Sequence, residues 1–347
     1  MKEARKSSSA SSKRNCNITI VIPAYNEENH IARCISSVIK QQYMGKIEIL
    51  VIDGGSEDRT REIAEDIKKS LEKDELRSLE ILDNPKKIAA SGMNIGFKNG
   101  KGNVLIPFSA HAYMAPDFVQ KSIDCLNETG ADVAGGIVLS APDSNTYLSK
   151  AIGKALNSKF ALGGITARTG KKRRPMENPS FGAYRKEIFE KFGYMDETLK
   201  RNTDYEFNLR LHKGGAKIMF CPYIKSYYFN RPNLKSLYRQ YYDTSFHKAA
   251  MIGRYKKVIR PRHLVPSIFF LMLFILVIAG IFIEEALLAA GAVFALYLFG
   301  AIIFSLKNIL YLPLLPICYL TIHFGYGLGF ILGLFSRKNV SLLKPYI

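Results

Sequence analysis

The chain has 347 residues, 48% of them hydrophobic, and a formal charge of +19. That length holds one large domain and something smaller. A positive charge of this size suits nucleic acid, but its placement argues against that partner and for lipid. Arg231 to Arg262 carries nine Lys or Arg residues and one acid, Asp243, just before a long apolar region, where a basic run meets anionic headgroups on the cytoplasmic side of a membrane.

In chain order, residues 1–16 are rich in Ser and Lys and lack the apolar stretch of a signal peptide, so they read as a disordered basic tail. Ile18-Thr-Ile-Val-Ile-Pro-Ala-Tyr-Asn-Glu-Glu28 and Ile47-Glu-Ile-Leu-Val-Ile-Asp-Gly-Gly-Ser-Glu-Asp58 follow. Each opens with an apolar run too short for a core helix and bounded by Pro, Asn, Gly and Asp, the pattern of a strand buried on both faces of a parallel sheet. Asp53 then falls at a carboxyl end of the sheet, where ligands of open α/β folds collect; as an alternative, it forms the turn before Gly54-Gly55. Helices are predicted with apolar faces Ile31, Cys34, Ile35, Val38, Ile39 and Ile63, Ala64, Ile67, Leu71, and a third strand at Leu79 to Leu82. This β-α-β-α-β order marks a parallel sheet with helices on its faces.

Further on, a short helix is expected over Ile88 to Asn99 and a strand over Asn103 to Ser109, with His111 and Tyr113 beside its end. Then come a helix from Pro116 to Thr129, a strand from Asp132 to Ser140 and a helix from Ser144 to Phe160. Lys171-Lys-Arg-Arg174 lies in a Gly- and Lys-rich loop, either a solvated face or a mobile basic loop that meets phosphates. Phe181 to Arg185 reads as extended, Lys186 to Phe192 as amphipathic, and Thr203-Asp204 as the start of a helix. Asn233 to Arg260 reads as interfacial, with Leu234, Leu237, Tyr238, Tyr241 and Tyr242 on its apolar side.

Leu264 to Ile283, Ala286 to Leu306 and Ile309 to Phe335 contain no Asp, Glu, Lys or Arg, and each is long enough to span a hydrocarbon core of about 30 Å. Three crossings place Arg337 and Lys338 outside. Either the third segment, with Pro313 and Pro316, is re-entrant, or the tail tolerates the charge. The five cysteines (Cys16, Cys34, Cys125, Cys221, Cys318) show no paired or metal-ligand spacing and read as reduced thiols.

Ile20-Val-Ile-Pro-Ala-Tyr-Asn-Glu-Glu28 with Val51-Ile-Asp-Gly-Gly-Ser-Glu-Asp-Arg-Thr60 resembles the opening of the family 2 glycosyltransferases, which have the GT-A fold. The resemblance continues through Asn84-Pro85, Asn94-Ile-Gly96, Phe181-Gly-Ala-Tyr-Arg185 and Thr203-Asp204. His111-Ala112 and Arg239-Gln-Tyr-Tyr242 are similar to the membrane-bound branch that builds succinoglycan-type exopolysaccharides. It implies an α/β fold: a Rossmann-like, mostly parallel GT-A catalytic domain over 17–230, a basic interfacial region over 231–262, two to three transmembrane helices over 263–336 and a tail over 337–347.

The implied activity is inverting transfer from a nucleotide sugar, a UDP-sugar by preference, to a polyprenyl-linked saccharide, by an integral protein of the cell membrane whose catalytic domain is cytoplasmic. A polyprenyl-phosphate sugar synthase and a catalytically impaired membrane scaffold are the alternatives. The resemblance implies donor contacts from Pro23, Ala24, Tyr25, Glu27, Asp53, Lys87, Asn94, Ser109 and His111, and acceptor contacts from Gly182, Ala183, Tyr184, Arg239 and Gln240. Asp204 is the expected general base, with Glu206 behind it; a carboxylate there also suits the helix macrodipole. Phe181 and Ala183 also read as core, and Arg239 and Gln240 also as headgroup ligands. Most of the family holds Mg²⁺ or Mn²⁺ with an Asp-x-Asp triplet, where this chain has Ser109-Ala110-His111. His111 then is either a packing residue or a ligand better suited to Mn²⁺ than to Mg²⁺. Lys86, Lys87 or the basic loop are alternative cations for the leaving diphosphate.

Overall fold

The computed structural model describes residues 17–163, 168, 170–199, 201–253 and 261–336. The expected tails at 1–16 and 337–347, and 254–260 of the interfacial region, lie outside them. Strands β1 (Ile18–Ala24), β2 (Ile47–Asp53), β3 (Arg77–Asp83) and β4 (Val104–Pro107) are parallel in the order β3-β2-β1-β4. Their connections are helices α1 (Ile31–Ile39), α2 (Thr60–Ser70) and α3 (Ala89–Asn99). As the periodicity predicts, α1 buries Ile31, Cys34, Ile35 and Val38 against the sheet.

The turn from α1 into β2 is organised from within. Arg77 is buried, and its guanidinium donates to the carbonyls of Ile39 (3.3 Å), Gln41 (3.1 Å), Tyr43 (2.7 Å) and Gly45 (3.0 Å). Burial pulls its pKa down, a cost that these four carbonyls offset by accepting from it.

The sheet continues through β8 (Ser180–Arg185), β6 (Val133–Ala141), β9 (Ile218–Phe229) and β5 (Ala112–Met114), with β7 (Arg174–Pro175) also on β9. Helices α4 (Phe118–Thr129), α5 (Tyr147–Leu156), α6 (Lys159–Leu162), α7 (Glu187–Phe192) and α8 (Thr203–Lys213) join these strands. Several expectations are corrected here. The strand over Asn103 to Ser109 stops at Pro107, and Tyr113 belongs to β5, across the sheet beside Tyr227. The helix over Ser144 to Phe160 breaks at Asn157, whose side chain bonds both Ser140 N and Ser140 O, and Ser158 caps the next turn through Phe160 N.

Strand β9 has no counterpart in the sequence reading, although it pairs with three other strands. Its Pro222 sits where the β6 register shifts between Gly135 and Ile137, a bulge that needs no donor from that position. Cys125 of α4 and Cys221 of β9 form a disulfide, correcting the reading of all five cysteines as thiols. They are 96 residues apart, so only the packing of α4 on β9 brings them together.

Beyond the sheet lie α9 (Leu234–Ala250), α10 (Pro261–Ala279), α11 (Glu284–Ser305) and α12 (Leu315–Phe335). Among the described residues two helical stretches, Glu284–Tyr311 and Leu315–Phe335, are long and apolar enough to cross a membrane, whereas the apolar part of α10, His263–Ala279, is shorter. The last helix starts at Leu315 and not near Ile309, and Pro316 falls in its first turn, where proline costs no hydrogen bond.

Helix α9 is pressed along α12. A Cβ on Gly325 would lie 2.8 Å from Tyr238 O, on Gly329 2.3 Å from Tyr242 O, and on Gly333 2.3 Å from Phe246 O. Glycines four apart on one helix thus meet carbonyls four apart on the other, the small-residue contact that lets two backbones touch in an apolar medium. Overpacking this seam is expected to cost about 1–3 kcal/mol. Gly329→Ala should lower the thermal midpoint of the detergent-purified protein, while Gly291→Ala, with nothing within 4 Å of the added Cβ, should leave it unchanged.

Candidate active site

Parallel pairing sets Ala24 opposite Asp53, so the loops leaving β1 and β2 emerge side by side. They are knitted together. Asn26, in the left-handed region at φ 51°, accepts from Glu57 N (2.9 Å); Glu27 N donates to Thr60 Oγ1 (2.7 Å) and Glu28 N to Asp58 Oδ2 (3.0 Å). Asp53 is 2% exposed. Its Oδ1 accepts from Ser56 Oγ (2.7 Å) and Ser56 N (3.2 Å), and its Oδ2 lies 3.4 Å from Arg61 Nη1. The turn-forming role is therefore present in the structure, at the strand end expected for a ligand contact. Lys87 Nζ stands 5.9 Å from the centre of the Tyr25 ring, and a Cβ on Gly55 would lie 3.5 Å from that Nζ, so Tyr25, Gly55 and Lys87 cluster at the strand ends that follow Pro23 and Ala24.

Ser109 and His111 follow β4. Ser109 Oγ accepts from His111 N (3.2 Å), which fixes the loop. His111 Nδ1 is 3.0 Å from Glu27 Oε2, and its ring meets that of His30 edge-on at 4.0 Å. His30 Nε2 is 3.0 Å from Asp143 Oδ1, which lies 3.9 Å from His111 Nε2. Burial, and then the charge of His111, lower the His30 pKa, favouring a neutral imidazole. Among the described residues His111 Nε2 is buried without a hydrogen-bond partner. A neutral imidazole, an orphaned ring nitrogen and carboxylates at hand fit a divalent transition ion, although Ser109 removes the first carboxylate of the usual triplet.

A cavity of about 1150 Å³ opens on the other side of Tyr228. One end is walled by Pro107, Phe181, Tyr184, Thr203 and Asp204; the other by Phe269, Tyr297, Ile322, His323 and Tyr326 of the apolar helices. Asp204 is accessible from this space yet enclosed by the protein around it. That enclosure raises its pKa, and hydrogen bonding to the N–H groups of Tyr205 and Asp204 itself and the charge of Lys248 offset only part of the effect. Glu206, in contrast, is 3% exposed and paired with Arg210 at 3.0 Å, so it is a structural partner and not a spare base.

The remaining expected residues divide. Gln240 lines the cavity, with its Oε1 buried and unpartnered, whereas Arg239 is mostly exposed, 4.0 Å from Asp243. Tyr184 lines the cavity and donates to Asn208 Oδ1 (2.8 Å). Ala183 is wholly buried in the core, and Gly182 is small because Val133 and Tyr184 crowd it, with a Cβ meeting them at 3.0 and 3.1 Å. Phe181, like Ser180 and Tyr184 of the same strand, reaches the wall, at a strained φ of 48°. Of the alternative cations, Lys86 is held by Glu197 (2.6 Å) and Arg173 by Glu128 (2.6 Å), while Arg174 lines the cavity. Asn94 corrects the donor set: its amide bonds Met195 O (2.9 Å), Met195 N (3.0 Å) and Glu197 Oε1 (2.9 Å), so it staples α3 to a loop.

Sequence reasoning missed His30, Asp143, Tyr241, Lys248, His263 and His323. For His323 a signal existed, since an ionisable residue inside an apolar span marks a lined interior; it bonds Tyr297 Oη at 2.8 Å. His30 and Asp143 carry none, being separated by the whole parallel half of the sheet.

The architecture is that of known sugar transferases. A mannosyltransferase from Pyrobaculum calidifontis, solved with GDP-Man and Mn²⁺, superposes with a TM-score of 0.60 at 17% identity, over 94% of this chain and 88% of that one. Residues 1–349 of S. aureus TarS, solved with UDP-GlcNAc, give 0.52 at 14% identity over 91% and 90%. These likenesses show the GT-A fold. The glycosyl transferase family 2 model matches residues 19–193, and the chain belongs to that family. Among relatives, a Methanococcus voltae dolichyl N-acetyl-alpha-D-glucosaminyl phosphate 3-beta-D-2,3-diacetamido-2,3-dideoxy-beta-D-glucuronosyltransferase is 30% identical over 77% of this chain and 83% of its own length. The succinoglycan biosynthesis protein ExoA of Rhizobium meliloti is 30% identical over 71% and 73%.

Asn94→Ala leaves Met195 N without its acceptor and should cost about 1–3 kcal/mol of stability. Nucleotide affinity, measured by isothermal titration, should stay within about twofold of wild type at temperatures where the variant is folded; a large loss would return Asn94 to the donor site.

Proposed function

We propose that this glycosyltransferase moves a sugar, with inversion, from a UDP-sugar to a saccharide carried on a polyprenyl lipid, at the cytoplasmic face of the cell membrane. The observation that carries this reading is the single cavity that joins Asp204 to the apolar helices. A water-soluble acceptor has no use for such a passage. A lipid-linked one threads its apolar tail among Phe269, Tyr297 and Ile322 and presents a sugar hydroxyl at Asp204. The relatives support the acceptor class, since one is named for a dolichyl phosphate-linked sugar and the other for succinoglycan biosynthesis. TarS bound to UDP-GlcNAc supports the donor class.

In this mechanism the acceptor hydroxyl attacks the anomeric carbon of the donor, the bond to UDP breaks, and Asp204 takes the hydroxyl proton. Tyr25, Asp53 and Lys87 border the nucleotide, with Asp53 exchanging Ser56 for a base N–H. Arg174 and Lys248 line the cavity as cations for the leaving diphosphate. A divalent ion held at His111 would add charge neutralisation there. Gln240, with its unpartnered oxygen, is an acceptor for a saccharide hydroxyl. The juxtamembrane lysines and arginines bind anionic lipid.

Asp204→Asn should lower lipid-dependent UDP release about 10²–10⁴-fold. Because the native Asp204 holds its proton more tightly than the unfolded chain does, its ionisation costs stability as pH rises from the unfolded pKa through the folded one. The Asn variant should therefore keep or raise its thermal midpoint at pH 7. In the wild type, turnover should rise with pH along a limb centred above about 3.9, the ordinary Asp value. The labelled product should survive mild acid as a glycosidic bond does; its cleavage would instead identify a sugar phosphoester and a polyprenyl-phosphate sugar synthase.

A further inference from the structure

We infer that Glu27, His30 and His111 form a site for one divalent transition-metal ion, with Asp143 as the carboxylate that fixes His30. The site differs from the triplet metal centre expected of the family: two of its three ligands come from the loop after β1 and the edge of α1, and none is an aspartate of the triplet. Ligand atoms of the three residues lie within 4.8 Å of one another. Glu27 Oε2 and His111 Nδ1 are hydrogen-bonded at 3.0 Å, and an ion between them would replace that bond and open the pair to about 3.4 Å for tetrahedral bonds near 2.1 Å, leaving His111 Nε2 facing Asp143 at 3.9 Å.

The surroundings have the form of a metal shell. Asp143 Oδ1 sits 3.0 Å from His30 Nε2, at ion-pair distance though without hydrogen-bond geometry, which places it where a carboxylate orients a ligating ring once the two align. Phe229 stacks on the other face of His30 at 4.7 Å, and Phe229 N donates to His111 O at 3.1 Å, so backbone and ring both restrict movement. The side chains of Glu27, His30 and His111 are 25%, 15% and 12% exposed, open enough for an ion to enter. Two imidazoles and a carboxylate prefer Mn²⁺, Co²⁺ or Zn²⁺ to Mg²⁺, which seeks oxygen. Three protein ligands leave a position for water or a phosphate oxygen. What the ion does for a diphosphate rests on the transferase reading; its binding does not.

The test uses the full chain in detergent, stripped of metal, with neither donor nor acceptor present. Titrated Co²⁺ should produce visible absorption bands of a four- or five-coordinate nitrogen and oxygen site, saturating at one equivalent. Mn²⁺ in excess should displace it and Mg²⁺ in the same excess should not. Asp143→Asn should weaken Mn²⁺ binding about 10–100-fold, and His30→Gln more than that. His111→Asp, which replaces the imidazole by the carboxylate usual in the family, should shift preference towards Mg²⁺ and guards against loss of binding through misfolding. Absence of Co²⁺ bands in the wild type, or Mn²⁺ affinity unchanged in both His30→Gln and Asp143→Asn, would overturn the proposal and leave a hydrogen-bonded network only. Intact metal binding with no sugar transfer would overturn the transferase reading alone.

Discussion

The parallel register of β1 on β2 is the constraint on which the rest depends. With Ala24 opposite Asp53, two buried strands end together, and their exit loops exchange hydrogen bonds before either reaches solvent. Slipping one strand by a residue would turn every side chain to the other face and part the loops. Arg77 protects that register from the far end, because its guanidinium gathers the carbonyls of the segment that delivers the chain into β2. A buried arginine is costly, and here it substitutes for secondary structure that the irregular segment lacks.

Around this frame the chemistry is divided between two environments. On one side of Tyr228 lie imidazoles and carboxylates in close contact; on the other a cavity with apolar walls holds Asp204 among protein atoms. The same physical effect, removal of water, acts oppositely on the two kinds of group. It keeps His30 neutral and available as a ligand, and it makes Asp204 hold a proton more strongly and so act as a better base once ionised. The two sets are contributed by different stretches of chain, so their properties are tuned separately.

Much of this was legible in the sequence, and the reasons for success and failure are physical. The β-α-β-α-β half announces itself because strands buried on both faces must be continuously apolar, and because helices on the sheet must repeat at 3.6 residues. The helix that opens at Thr203-Asp204 was legible from its motif. Strand β9 was not: Pro222 and Lys225 interrupt its pattern, and only the bulge opposite Gly135 and Gly136 makes them acceptable. Asn94 shows the opposite failure, since its motif pointed to the donor while its amide is consumed by Met195 and Glu197. The disulfide and the His30–Asp143 pair depend on contacts far apart in sequence, which local spacing does not record.

The glycine seam between α9 and α12 has a consequence for the choice of substrate. Carbonyls of Tyr238, Tyr242 and Phe246 nest against Gly325, Gly329 and Gly333, so the helices can slide only by whole turns. Gln240 and Thr244, on the same helix as those carbonyls, line the cavity that Asp204 also borders. Asp204 therefore shares a cavity with a helix whose position along its neighbour is fixed by backbone contact. On the lipid-linked acceptor proposed above, that fixed offset would work as a ruler. A glycan of matching length would present its terminal hydroxyl at Asp204, a shorter one would stop below it and a longer one would overshoot, so length would be selected without a contact to every sugar.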